Sequence, residues 1–218
     1  MFEGIAHIAS PLSAPWCGWT MLSLLLCAIL SEWLQPGIIT QAHESLIAKT
    51  DRTYKESPNT FLGQALIILF RIGTVAMALC LCIYKDADLS FAVYGMVCGL
   101  VVALLLVKML FNVIVDYTFE LSRRFGSAFG LYADIATLAI LALYPLVLVM
   151  LRVDNPGLTQ WGTGIVALIF IGMWIYRSAR LYIVSLKAVL YFVLYIATME
   201  VLPFVALYVL SAKMISIL

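Results

Sequence analysis

Long apolar runs separated by short polar connections dominate this chain. Charge-free stretches extend from Gly4 to Ser31, Leu89 to Val107, Ile135 to Leu151 and Asn155 to Tyr176. Two further apolar stretches each carry one central charge, Arg71 in the first and Glu200 in the second. A helix rises about 1.5 Å per residue, so roughly 20 apolar residues cross the ~30 Å hydrocarbon core of a bilayer. The pattern predicts spans at about 14–34, 61–84, 90–113, 131–151, 158–177 and 186–211. The expected fold class is an all-α membrane protein, a single integral domain over residues 1–218 built as a bundle of about six transmembrane helices.

The only long connection runs from Gln35 to Thr60. Its first half places Ile38, Ile39, Ala42, Leu46 and Ile47 on one helical face and Thr40, Gln41, His43 and Glu44 mostly on the other. That spacing predicts a short interfacial helix in the first cytoplasmic loop. Its second half, from Asp51 to Glu56, is polar with both signs and reads as a solvated connector, with a docking site as the alternative. Asp154, Asn155, Pro156 and Gly157 are turn-forming residues, which makes the fourth and fifth spans a tight antiparallel hairpin.

Within the spans, polar and small residues carry the information. Gly95, Gly99 and Ala103 recur every four residues in the third span. Such a stripe lets another helix approach closely where lipid supplies no hydrophobic drive, so packing is the expectation. Lys108, Asn112, Asp116 and Glu120 follow at the same spacing and form one polar edge, with Asp134 in the fourth span at similar depth. This edge reads either as a snorkelling interfacial network or as a polar path.

Arg71 stands 15 residues after Glu56 and 14 before Lys85, and Glu200 stands 13 residues from both Lys187 and Lys213. Both therefore fall near a bilayer midplane, where an ionisable group costs about 2.5 to 3.5 kcal/mol unless it pairs or lines a wet cavity. Around Glu200 the last span gathers Tyr191, Tyr195 and Thr198, and Pro203 follows three residues later and kinks the helix. Two readings stand: a buried Arg71–Glu200 ion pair fixing spans two and six, or a Glu200 that exchanges protons.

Composition agrees with the runs: 64% of residues are apolar, 11% are charged, and the mean hydropathy is +1.06. No Lys or Arg precedes the first run, and the run is too long for a signal peptide, so it is expected to stay in the mature chain. The loops after spans one, three and five hold eight Lys and Arg: Lys49, Arg52, Lys55, Arg123, Arg124, Arg177, Arg180 and Lys187. The opposite side holds three, Lys85, Arg152 and Lys213. The positive-inside rule then places both termini on the periplasmic side of a bacterial inner membrane. A net charge of +1 excludes nucleic acid as a partner, because topology accounts for the few basic residues. The five cysteines, Cys17, Cys27, Cys80, Cys82 and Cys98, read as small core hydrophobes, with a Cys80–Cys98 redox pair as the alternative.

Tyr176, Arg177 and Arg180, followed by Phe192, Leu194, Tyr195, Thr198, Glu200, Leu202 and Pro203, carry a family likeness. With its Tyr-x-x-Thr-x-Glu-x-x-Pro pattern, this C-terminal third resembles an uncharacterised family of small multi-pass inner-membrane proteins from Bacteroidetes. The resemblance implies an envelope location and no mechanism. It directs interest to Arg177, Arg180 and Glu200 without assigning them roles.

Catalytic chemistry lacks its parts. His7 and His43 both lie outside the spans, so neither a haem nor a metal site and no other cofactor is expected in the membrane. Neither G-x-S-x-G nor H-E-x-x-H occurs, and the span interiors offer only Asp134 where an aspartyl protease needs two aspartates. Arg123, Arg124, Arg177 and Arg180 form a cytoplasmic basic group that topology explains before any phosphate does. The chain is therefore expected to be a non-catalytic subunit or assembly factor of a larger envelope complex, with the lipid bilayer and other membrane proteins as partners. The alternative is a small proton- or ion-coupled transporter or channel using Glu200 and Arg71.

Overall fold

A computed structural model describes residues 15–47, 60–83, 90–119, 128–152 and 156–182, together with Val205, Ala206, Val209, Leu210 and Lys213. Six helices make up the described elements: α1 (Pro15–Leu34), α2 (Ile38–Ile47), α3 (Thr60–Ile83), α4 (Phe91–Phe119), α5 (Ala128–Arg152) and α6 (Pro156–Tyr182). No strand occurs among the described residues. Four helices are long and apolar enough to cross a membrane, over Trp16–Leu34, Phe61–Ile83, Phe91–Leu110 and Ala133–Arg152, and α6 holds a shorter apolar segment, Trp161–Met173. The sixth expected span, about 186–211, lies almost wholly outside the described residues.

Pro15 and Pro156 open α1 and α6 at a position whose N–H has no partner within the helix in any case. Pro145, inside α5, removes the donor to the Leu141 carbonyl, yet the helix continues to Arg152. The bundle is organised around α3, which packs against α1, α4, α5 and α6, while α5 also packs against α2 and α6. Contacts between helices set the directions. Ser31 at the end of α1 donates to the Gly63 carbonyl at the start of α3 (2.8 Å), so these two are antiparallel. Tyr144, late in α5, donates to the Met21 carbonyl, early in α1 (2.9 Å), so α5 runs parallel to α3.

The core lies where these helices meet, with Met21, Phe70, Met77, Ile135 and Val147 fully enclosed. Outward faces are apolar as well, which is what a lipid-facing surface requires. Large rings mark the helix ends: Trp19 and Trp33 on α1 and Trp161 and Tyr176 on α6 are all strongly exposed. Each pair brackets about 21 to 22 Å of helical rise, and rings at such positions suit the two membrane–water interfaces.

The turn from α1 into α2 is built by one carboxylate. Gly37 takes a positive φ of 95°, a conformation that L side chains rarely adopt. The first amides beyond the turn then point back at Glu32: Gly37 N donates to Oε1 at 2.7 Å and Ile39 N to Oε2 at 3.2 Å. A carboxylate that accepts the unpaired donors of a helix N-terminus also favours its dipole. So anchored, α2 turns Ile38 and Ala42 inward and packs on α5. The amphipathic segment is thus a packed part of the bundle. Glu32→Ala is expected to destabilise this turn by about 1 kcal/mol. Amide hydrogen exchange should accelerate in α2 and stay unchanged in α3, and uniform exchange rates in α2 would contradict the capping role.

Candidate functional site

Arg71 is the eleventh residue after Thr60 in α3 and follows the exposed ring of Phe61 by ten residues. About 15 Å of helical rise separates the two, which puts the guanidinium's anchor near mid-depth. The side chain is half-buried and turns toward α5, where its Nη2 donates to Thr137 Oγ1. Thr137 is 1% exposed and in turn donates to the Ala133 carbonyl at 2.8 Å. One hydroxyl thus accepts from a cation and donates to the backbone, a chain of bonds that polarise one another in a low-dielectric setting. The residue before Arg71, Phe70, also meets α5, its ring centroid 5.6 Å from that of Tyr144 at a tilt of 42°.

Other polar groups share this region. Asp134 precedes Thr137 by three residues on α5, so the two are neighbours on one helix face, about 5 to 6 Å apart at Cβ. Thr74 follows Arg71 by three residues on α3 and is fully buried. On α4, Val93, Val97 and Val101 form the buried stripe that meets α3, and Lys108, 9% exposed, extends the same stripe. A lysine in that position points into the bundle and away from lipid. Arg71, Thr74, Thr137 and Asp134 are therefore grouped at the α3–α5 contact, and Lys108 is an inward-facing cation on α4.

Several sequence-predicted residues fall elsewhere. Glu200, Tyr191, Tyr195, Thr198 and Pro203 lie outside the described residues, as do Arg123 and Arg124. Arg177 and Arg180 are placed on the closing turns of α6. Gly95, Gly99 and Ala103 lie on the exposed side of α4, turned away from α3. A Cβ built on Gly95 or Gly99 meets nothing within 4 Å among the described residues. All five cysteines are free thiols, Cys17 and Cys80 buried and the others half-buried. Cys82 donates to Thr163 Oγ1 at 3.3 Å and so ties α3 to α6. Among the described residues no group of three or more His, Cys, Asp or Glu side chains is placed to hold a metal ion.

Thr137, Thr74 and Glu32 are the polar residues that pattern reading passes over. Thr137 was detectable as the residue one turn after Asp134 inside an apolar run. Glu32 was detectable as an acid five residues before a glycine elbow. Thr74 has no such mark.

The family model described as "Domain of unknown function (DUF4271)" matches residues 18–210. No match was found among curated proteins or among solved structures.

Proposed function

We propose, from the premise that the chain belongs to the DUF4271 family, that it is a non-catalytic integral protein of the bacterial inner membrane that serves as a subunit or assembly factor of a larger envelope complex. One observation carries this reading: the Gly95–Gly99–Ala103 stripe faces outward, with nothing among the described residues within 4 Å of a Cβ at either glycine. The bundle does not use the stripe to seat α4 on α3, because the valine stripe on the other side of α4 does that. Small residues on a lipid-facing helix surface permit close backbone approach by a second transmembrane helix. The partner this face fits is a helix of another membrane protein. Six crossings with both termini periplasmic complete the reading, supported by eight Lys and Arg on one side against three on the other.

A second reading, a small proton- or ion-coupled transporter or channel using Glu200 and Arg71, draws on the Arg71–Thr137 contact near mid-depth with Asp134 one turn away. It ranks second because one inward-facing polar region does not by itself give access to both faces of a membrane.

The two readings separate on one substitution. Gly99→Leu is expected to leave the purified chain's thermal midpoint unchanged within error while weakening its association with partner polypeptides tenfold or more, about 1.4 kcal/mol or above. The check is extraction from native membranes in mild detergent followed by native mass determination. A lowered midpoint would mean the stripe packs within the chain. An unchanged complex would leave the stripe without a docking role.

A further inference from the structure

The outward apolar surface of the bundle is not equally tall on all sides. On α4, exposed apolar side chains continue from Phe91 through Met96, Val102, Leu106 and Leu110 to Val113. Between Phe91 and Val113 the helix rises about 33 Å, enough for the ~30 Å hydrocarbon core of an average bilayer. The flanks formed by α1 and α6 are lower. The strongly exposed rings of Trp19 and Trp33 on α1 stand about 21 Å apart along the helix, and those of Trp161 and Tyr176 on α6 about 22 Å. Each Cα–Cβ bond in a helix leans toward the N-terminus, so both rings of a pair shift the same way and their spacing keeps the value of the rise. Tilting either helix only shortens the height that its rings bracket.

Polar groups close the same two stretches independently of the rings. Glu32 precedes Trp33, and its carboxylate is held at that level by the amides of Gly37 and Ile39. On α6 the apolar segment covers only Trp161–Met173, about 18 Å of rise, and Arg177 follows Tyr176 directly. A hydrocarbon slab of ~30 Å with Trp161 at one surface would hold the backbone of Arg177 about 6 Å inside the other. An ionisable group is costly at that depth, and a bilayer meets a short apolar stretch by thinning. Snorkelling does not remove the mismatch for the rings. Trp33 and Tyr176 lie toward the C-terminal ends of the two apolar stretches, so their side chains lean back toward the bilayer centre.

We infer that the α1 and α6 flanks are an interaction surface for a thinned bilayer, with phospholipids of short acyl chain as the preferred partners, while α4 meets lipid at ordinary thickness. α1 seats on α3, and α6 seats on α5 and α3, so both low flanks are built on one central pair of helices. Short chains match a hydrocarbon height of about 22 Å, and long chains must compress by about 8 Å to reach both rings of a pair. The inference is independent of partner docking at α4 and of which side of the membrane each end faces.

The test reconstitutes the purified full chain in vesicles of dimyristoleoyl, dioleoyl or dierucoyl phosphatidylcholine, whose chains lengthen in that order. Tryptophan fluorescence, quenched by brominated dioleoyl lipid in competition with each unbrominated lipid, reads which chains sit against the exposed rings. Dimyristoleoyl lipid is expected to relieve quenching about twofold more effectively than dioleoyl lipid, and dierucoyl lipid least effectively. Equal competition by all three, or an advantage for dierucoyl lipid, overturns the inference. Thermal unfolding supplies a second readout. The wild-type midpoint is expected to be about 4 °C or more higher in dimyristoleoyl than in dierucoyl vesicles. Combining Trp33→Leu with Tyr176→Leu, both at strongly exposed positions, should reduce that difference by about half. Equal wild-type midpoints, or a difference that the double variant leaves undiminished, would show that these rings do not set the height of the flanks and would overturn the inference.

Discussion

Gly73→Leu is expected to unfold or grossly loosen the bundle, at a cost of about 3 kcal/mol or more. Three helices meet at this glycine. A Cβ placed there would lie 2.5 Å and 3.0 Å from the two methyl carbons of Leu24 on α1 and 2.9 Å from the Tyr94 hydroxyl on α4. Both neighbours are themselves enclosed, Leu24 at 5% and Tyr94 at 7% exposure, so neither has open space to retreat into. Tyr94 also donates to the Gly73 carbonyl at 3.3 Å, and that bond would be displaced with the ring. Gly73→Ala already requires repacking and should cost about 1 to 3 kcal/mol. Leucine adds three further carbons and forces the helix axes apart. Thermal midpoints of the purified variants give the check. Equal midpoints for wild type and Gly73→Leu would mean that α1, α3 and α4 do not meet as described.

Phe70→Ala carries the second large effect. Phe70 is 1% exposed and stacks on Tyr144, whose hydroxyl in turn bonds to the Met21 carbonyl, so one ring braces α3 against both α5 and α1. In a membrane the deleted atoms return to lipid and not to water, so the transfer part of the usual penalty falls away. What remains is the cavity. At about 24 cal/mol per Å³, a void of roughly 100 Å³ costs about 2 to 3 kcal/mol. Phe70→Leu fills most of that space and should cost under about 1.5 kcal/mol. A Phe70→Ala variant as stable as Phe70→Leu would show that the ring has no bracing role. Because Phe70 adjoins Arg71 in sequence, the alanine variant should also loosen the Arg71–Thr137 contact.

Gly73 and Gly99 illustrate what the sequence discloses and what it leaves out. Both are glycines inside apolar runs, and nothing in their flanks distinguishes a three-helix crossing from an open face. In water, periodicity orients a helix because one side must be polar. In lipid both sides are apolar, so the runs locate α1, α3, α4, α5 and α6 but not their inward faces. The expected boundaries near 113 and 131 fall short of the helices, which reach Phe119 and begin at Ala128. Helical hydrogen bonding continues through interfacial polar residues after hydropathy has dropped.

The polar site was half legible. Arg71 stands out because it is a charge in an apolar run, and Asp134 and Lys108 because they sit near run ends. The seat of Arg71 required Thr137, an ordinary residue in sequence terms that becomes significant only when α5 lies beside α3. Spans that are distant in the chain pair through tertiary packing, and no local signal encodes that choice. The amphipathic spacing of α2 was readable, but its seat against α5 depends on the Glu32 cap and the Gly37 turn.

The most direct test of the docking reading replaces Gly99 with a photoreactive amino acid and illuminates intact native membranes. The outward-facing stripe predicts a covalent product with a second polypeptide of defined mass, absent when Gly95→Leu is introduced on the same face. A product confined to this chain's own residues 186–211, or to lipid alone, would contradict it.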